Sequence, residues 1–234
     1  MSFPPTRVAV VGARGKMGIQ VVDTVKGAPD LELALTLDKG DDLGVIEPHS
    51  IDVAVEFTVA DVSFSNVQRL LSEGVQRIII GSSGWGSAKI DELKAFCQVY
   101  PRAKVFLVPN FSISAVLQSR FAKEAARYFE DTHIIEYHHK AKADKPSGTA
   151  LALQDDLERL GIPRPDALSV RGDGYLAKQE VIMTNPGERL VIDQDVLSRE
   201  AFMPGVLLAI RSIIKADFSS GVVVGLGEVM PPTV

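Results

Sequence analysis

The chain has 234 residues, of which 25 are lysine or arginine and 30 aspartate or glutamate, and its net charge of −5 lacks the basic face that broad capture of nucleic acid requires. With 46% hydrophobic and 24% charged residues it has the composition of a globular enzyme, long enough to bury one large core or two modest ones. Cys97 is the only cysteine, which excludes an intrachain disulfide and CxxC metal sites; the start Met1-Ser2-Phe3-Pro4-Pro5-Thr6-Arg7 is not a signal peptide, and no apolar run nears the roughly 18 residues of a membrane helix, so a metal-free cytoplasmic protein is expected. From the N-terminus the patterns alternate. Residues 8–11 read as a strand, 17–26 as a helix with Met17, Val21, Val22 and Val25 on one face, 31–37 and 52–57 as strands, and 64–71 as a helix. Strands at 77–80 and 104–108 follow, separated by a helix near 90–96. Near-continuous apolar strands alternating with helices imply a parallel sheet covered on both faces, a doubly wound domain. After Asn110 the pattern changes to a long helix over 113–129, a strand over 132–139, a basic loop and a helix over 149–160. Strands 179–184 and 189–195 are joined by Asn185-Pro186-Gly187-Glu188, which has hairpin-turn chemistry. A last helix over 206–215 and a strand over 221–226 read as returning to the first domain. The expected division is therefore 1–110 with 205–234 for dinucleotide binding, and an α+β domain over 111–204. The alternating apolar residues Val181, Met183, Leu190 and Ile192 suggest a sheet face with too little chain left to cover it, hence a symmetric oligomer.

Three features carry chemistry. In Val8-Ala9-Val10-Val11-Gly12-Ala13-Arg14-Gly15-Lys16-Met17-Gly18, a glycine turn links the first strand to the first helix. Gly12 allows the tight turn, Gly15 the approach of a pyrophosphate and Gly18 close packing of helix on strand, with the helix N-terminus facing the phosphates. The spacing is G-x-x-G-x-x-G rather than G-x-G-x-x-G. Asp38, about 20 residues on, stands where an acid takes a ribose 2′-hydroxyl. Adjacent Lys39 and nearby Arg14 and Lys16 offset its charge, so NADH is expected to serve at least as well as NADPH, with both used. The loops Gly81-Ser82-Ser83-Gly84 and Pro109-Asn110-Phe111-Ser112 follow later strands and can reach the nicotinamide side, and Glu56-Phe57-Thr58 is a weaker candidate. The third feature is Glu136-Tyr137-His138-His139-Lys140-Ala141-Lys142-Ala143-Asp144-Lys145-Pro146-Ser147-Gly148-Thr149-Ala150. Histidines and lysines gather there beside a helix start, whose unpaired amides attract anions. Read alone, it fits a site for a small anion that must receive a proton, and equally a solvated basic loop.

Together the glycine turn, Gly-Ser-Ser-Gly, Pro-Asn-Phe-Ser and the His-His-x-x-Lys-x-Asp-x-Pro-Ser-Gly-Thr stretch resemble the 4-hydroxy-tetrahydrodipicolinate (dihydrodipicolinate) reductases, in order and over essentially the whole chain. The resemblance implies a Rossmann-like domain followed by a substrate-binding and oligomerisation domain, usually in a homotetramer. It implies NADH- or NADPH-dependent reduction in the diaminopimelate route to lysine, with a small cyclic imine dicarboxylate as substrate. By the family pattern His138 matches the proton donor/acceptor and Lys142 the proton donor. His139, Lys142, Ser147, Gly148 and Thr149 match substrate contacts. Gly12, Ala13, Arg14, Gly15, Lys16, Met17, Asp38, Lys39, Gly81, Ser82, Ser83, Val108, Pro109, Asn110 and Phe111 match cofactor contacts. Loss of the substrate hydroxyl as water would leave a conjugated ring that takes hydride at carbon 4 and a proton at carbon 3 or nitrogen. Two departures stand out. Ala141 replaces a histidine found in many members, and Ser82, Ser83 and Trp85 replace the residues of a usual Gly-Thr-Thr-Gly-Phe loop. The competing readings are another two-domain NAD(P)-dependent reductase of amino-acid metabolism, such as one acting on a semialdehyde, and a non-catalytic NADH sensor.

Overall fold

Valine, isoleucine and leucine runs too short for helices become strands wherever both faces can be covered. In the first unit they are β1 (Thr6–Val11), β2 (Leu31–Leu37), β3 (Val53–Glu56), β4 (Arg77–Ile80), β5 (Lys104–Leu107) and β10 (Gly221–Val224). The structure is a computed structural model that describes residues 4–46 and 51–232. The opening Met1, Ser2 and Phe3, residues 47–50 and residues 233–234, all assigned above to the first domain, lie outside the described residues. The six strands pair in the order β10-β5-β4-β3-β1-β2, and each pairing is parallel. From β1 the chain goes outward to β2, then crosses back to β3 on the other side. The carboxyl ends of β1 and β3 therefore flank the switch point at which such sheets bind ligands.

Helices α1 (Lys16–Gly27), α2 (Ala60–Ser72), α3 (Ser87–Cys97) and α6 (Met203–Ile213) complete this unit. Val8, Ala9, Val10, Val53, Ala54, Val55, Ile78, Ile79 and Ile80 are fully buried between the layers, which explains their unbroken apolar runs. The returning helix is fastened by Arg211, whose guanidinium makes two bonds of 2.8 Å to Asp30 ahead of β2.

The second unit spans Ser112–Ala201; the first is built from the residues up to Phe111 and from Phe202–Pro231. It holds α4 (Ile113–Ala125), β6 (Asp131–His138), α5 (Gly148–Arg159), β7 (Asp166–Arg171), β8 (Ala177–Asn185) and β9 (Glu188–Val196). The sheet order is β7-β6-β8-β9, with β6 parallel to β7 and the other pairs antiparallel. The hairpin forms as its turn residues require, with Asn185 paired to Glu188 and Gly187 at a φ of 86°.

Three sequence expectations need correction. The strand β7 was not anticipated: it is an edge strand with Leu168 61% exposed, so it lacks a clean apolar alternation. The long helix ends at Ala125, and residues 126–128 tighten into a 3-10 turn. The apolar face of β8 is not left bare, because Val181 and Met183 are fully buried in one cluster with Ala122 and Ala126 and with Leu153 and Leu157 of α5. Ile192 packs partly against the same cluster, and only Leu190, near the hairpin, is exposed.

Candidate active site

At the switch point, the turn after β1 is held by backbone. The amides of Gly12 and Ala13 donate to the Leu37 carbonyl at 2.8 and 3.1 Å, and that of Gly15 to the Gly12 carbonyl at 3.1 Å. Gly12 has a φ of 83°, and a Cβ there would lie 2.6 Å from the Phe57 carbonyl oxygen. A Cβ on Gly18 would lie 2.0 Å from the Gly12 carbonyl oxygen, so only glycine lets α1 sit this close to the turn. Helix α1 has neither a side-chain N-cap nor an acid in its first turn, and its positive end is not neutralised from within its own sequence. Lys16 is exposed and Met17 half-buried at that end. These features fit a bound dinucleotide pyrophosphate.

Asp38 follows β2 directly. One carboxylate oxygen accepts from the Arg14 amide at 2.6 Å and the other from the Lys39 amide at 2.7 Å. Those two amides, Arg14 first, hold its carboxyl below the usual carboxylate range. The exposed Arg14 guanidinium stands 3.7 Å from Asp38 and 3.8 Å from Asp41. Asp38 is thus fixed to the glycine turn, at the distance along the chain that a ribose-binding acid requires.

The loops after β4 and β5 lie at the same strand ends. Ser83 is exposed, but Ser82 is buried and bonded inward. Its contact to a cofactor would be through backbone. The same holds for Val108 and Phe111, whose side chains are core, while Pro109 is exposed and Asn110 half-buried. Glu56 is fully buried and bonded by Thr58, Ser63 and Asn66. Cys97 is buried in α3, where burial pushes its thiol up to about 11, a poor setting for the nucleophile that an acylating aldehyde dehydrogenase needs.

In the second unit β6 delivers Glu136 and His138 to one face, two residues apart. Glu136 is fully buried, and one of its oxygens is hydrogen-bonded to His138 Nδ1. Arg171, opposite His138 in the β6/β7 register, donates to both oxygens of Glu136 at 2.9 and 2.8 Å. The same guanidinium reaches the backbone carbonyls of Lys142 at 3.3 Å and Asp144 at 2.6 Å, so it also pins the basic loop. Burial works to raise the Glu136 carboxyl, but the bonds from Arg171, Ser169 and His138 outweigh it and leave it low. Burial is also the largest influence on His138; with Lys142 and Arg171 nearby it outweighs the pull of Glu136, and the imidazole titrates below its ordinary value. With Nδ1 engaged by Glu136, the other ring nitrogen, Nε2, is left for chemistry.

The loop then turns through a Lys142 amide bond to the His139 carbonyl at 3.0 Å, and His139 itself is exposed. The Lys142 ammonium lies 2.8 Å from the Asp144 carboxylate. Burial tends to raise the Asp144 carboxyl, and bonds from Lys142 and the Gly148 amide bring it below the usual range. Ser147 caps α5, its buried hydroxyl accepting from the Ala150 amide at 3.2 Å, and Gly148 and Thr149 form the first turn. His138, Lys142, Ser147, Gly148 and Thr149 are therefore gathered around one helix start. Lys140 instead pairs with Asp173 at 2.6 Å, both largely exposed, which is a solvated surface pair. Arg171 and the role of Glu136 were missed from sequence. Arg171 lies on the unanticipated edge strand, and alternation with His138 was the one available signal for Glu136. Among the described residues no group of three or more His, Cys, Asp or Glu could hold a metal ion.

Comparison with known proteins agrees over both units. Residues 6–111 match the family model "Dihydrodipicolinate reductase, N-terminus", and residues 114–230 match "Dihydrodipicolinate reductase, C-terminus". The 4-hydroxy-tetrahydrodipicolinate reductase of Bifidobacterium animalis subsp. lactis is 43% identical over 249 residues, covering 95% of this chain and 98% of that protein. The protein of the same name from Nocardia farcinica is 40% identical, over 94% of this chain and 96% of its own length. The solved dipicolinate-bound dihydrodipicolinate reductase from Paenisporosarcina sp. TG-14 superposes with a TM-score of 0.77 at 27% identity, covering 97% of this chain and all of that one. A glycine turn on a parallel sheet, a histidine locked beside a lysine at a helix start, and matches along almost the whole length lead to one assignment: the chain belongs to the dihydrodipicolinate reductase family.

Proposed function

We propose that the chain reduces 4-hydroxy-tetrahydrodipicolinate to tetrahydrodipicolinate with a pyridine nucleotide, as the names of its relatives indicate for them. The observation that carries this reading is the carboxylate already seated at the start of α5, where the Lys142 ammonium and the Gly148 amide converge on Asp144. A substrate carboxylate at the Gly148 and Thr149 amides takes over those donors, with His139 and Ser147 beside it, and the dipicolinate bound by the solved relative is a dicarboxylate of that class. Gly12, Ala13, Arg14, Gly15, Lys16 and Met17 then serve the pyrophosphate side, and Asp38 and Lys39 the ribose. The backbones of Gly81, Ser82, Ser83 and 108–111 serve the nicotinamide side.

The nicotinamide, when bound, supplies the hydride that adds to ring carbon 4 after the hydroxyl has left as water. The chain's own residues supply the rest. Lys142 delivers the proton to ring carbon 3 or nitrogen, and His138 Nε2 accepts or returns a proton as the loop resets. Glu136 holds the imidazole in one tautomer, and Arg171 holds Glu136 and the loop together. Placed proton transfer of this kind contributes about 10²–10⁴-fold in enzymes generally. On this reading the reaction belongs to the cytoplasm and to the diaminopimelate route to lysine. Loss of NADH absorbance, with the substrate generated in situ by its synthase, tests the proposal. Turnover is the expected result, and NADH stable in the presence of active synthase contradicts it.

A further inference from the structure

Glu56 closes β3, and its fully buried carboxylate faces four neutral donors. They are the Thr58 amide at 3.0 Å, the Thr58 hydroxyl, the Asn66 amide group at 3.3 Å and the Ser63 hydroxyl at 2.5 Å. Burying a carboxylate is costly unless such donors satisfy it. The bonds do not end at Ser63. Its oxygen accepts from the Ser82 hydroxyl at 2.8 Å, and Ser82 accepts from the Trp85 indole N–H at 3.0 Å. An indole N–H can only donate and a carboxylate only accept, so both hydroxyls are forced to point the same way, toward Glu56. The chain of bonds therefore has one direction and one terminus.

Its outer end is the loop after β4. Gly81 has no side chain, and a Cβ there would lie 2.2 Å from the Phe57 ring; Gly84 sits at a φ of 88°, and Ser83 is exposed. Ser82, 4% exposed, is the one residue of this four-residue loop whose side chain is buried. The Gly81 amide donates to the Glu56 carbonyl at 2.8 Å and Trp85 packs edge-on against Phe64, so the loop has other anchors, and the Ser82 hydroxyl, ordered by Glu56 through Ser63, is the one that its own buried side chain provides.

We propose that Glu56 is a positioning residue for nucleotide binding, fixing the Gly81-Ser82-Ser83-Gly84 loop through Ser63 and Ser82 so that the loop backbone meets the nicotinamide end. This rests on the nucleotide-site reading above. Ser63 is not among the proposed nucleotide contacts, so Ser63→Ala tests the link without removing one. Trp85 is the only tryptophan, so its indole N–H gives a single assignable resonance and its emission a single source. In Ser63→Ala the indole N–H exchanges faster, and NADH binds about three- to tenfold more weakly by calorimetry, the loss of one buried hydrogen bond's worth of order. At saturating NADH, kcat stays within about twofold, because the loop is then held by its ligand. Ser63→Thr, which keeps the hydroxyl, restores the wild-type dissociation constant. Glu56→Gln, which puts a donor where donors already converge, shifts both readouts in the same direction as Ser63→Ala. A Ser63→Ala protein with wild-type indole exchange and wild-type NADH affinity overturns the proposal alone. Wild-type protein that fails to bind NADH overturns the nucleotide reading and this proposal with it.

Discussion

On the proposed reading, Asp38 and Arg14 set the balance at the ribose end. Each Asp38 oxygen already accepts one backbone amide, so the carboxylate is held in place and charged. Arg14, which could have welcomed a 2′-phosphate, stands between two carboxylates, Asp38 and Asp41. The expected outcome is that kcat/KM with NADH equals or exceeds that with NADPH, with both cofactors active. Steady-state kinetics with each decide it, and a hundredfold preference for NADPH contradicts the placement of Asp38 at the ribose. The place of Asp38 at the end of β2 was legible from the sequence pattern. Its anchoring by the Arg14 amide was not, because a hydrogen bond between strand end and turn has no local sequence pattern.

Among the helices, strands and turns, the glycine turn is the clearest case of sequence dictating packing. Gly18→Ala places a methyl against backbone atoms of Gly12 and Ala13, which cannot move aside as a side chain would. It should cost about 1–3 kcal/mol in urea unfolding at unchanged m-value, the range for overpacking a close contact. A variant as stable as wild type would show that α1 can slide off β1. Helices and central strands were readable because burial on both faces imposes apolar runs, as in Ile78, Ile79 and Ile80. Strand β7 escaped because Asp166-Ala167-Leu168-Ser169-Val170-Arg171 lies on an edge and its pairing partner is about thirty residues away in the chain. With it went Arg171, so the His-Lys loop was visible from sequence while the clamp that orders it was not.

For the whole molecule, the proposed surface for self-association is the other side of the second sheet. Val181 and Met183 are covered by the chain's own helices. The opposite face carries Ile135, Ile182 and the exposed Leu168 and Val191, paired across strands in register. A symmetric homotetramer formed through that face is the expected state. Sedimentation at micromolar concentration reads it, and Val191→Lys, which adds a charge to the face, should shift the population toward smaller species; a monomeric wild type contradicts the expectation.

On the proposed reading, one loop and one helix start together bind the substrate carboxylate and deliver the proton. The decisive experiment is kcat and KM of Lys142→Ala in the synthase-coupled assay, with the NADH dissociation constant measured beside it. The expected result is that kcat falls by about 10²–10⁴-fold and substrate KM rises while NADH affinity is nearly unchanged. Near-normal kcat and KM in Lys142→Ala, with a large loss in Lys140→Ala instead, would contradict it.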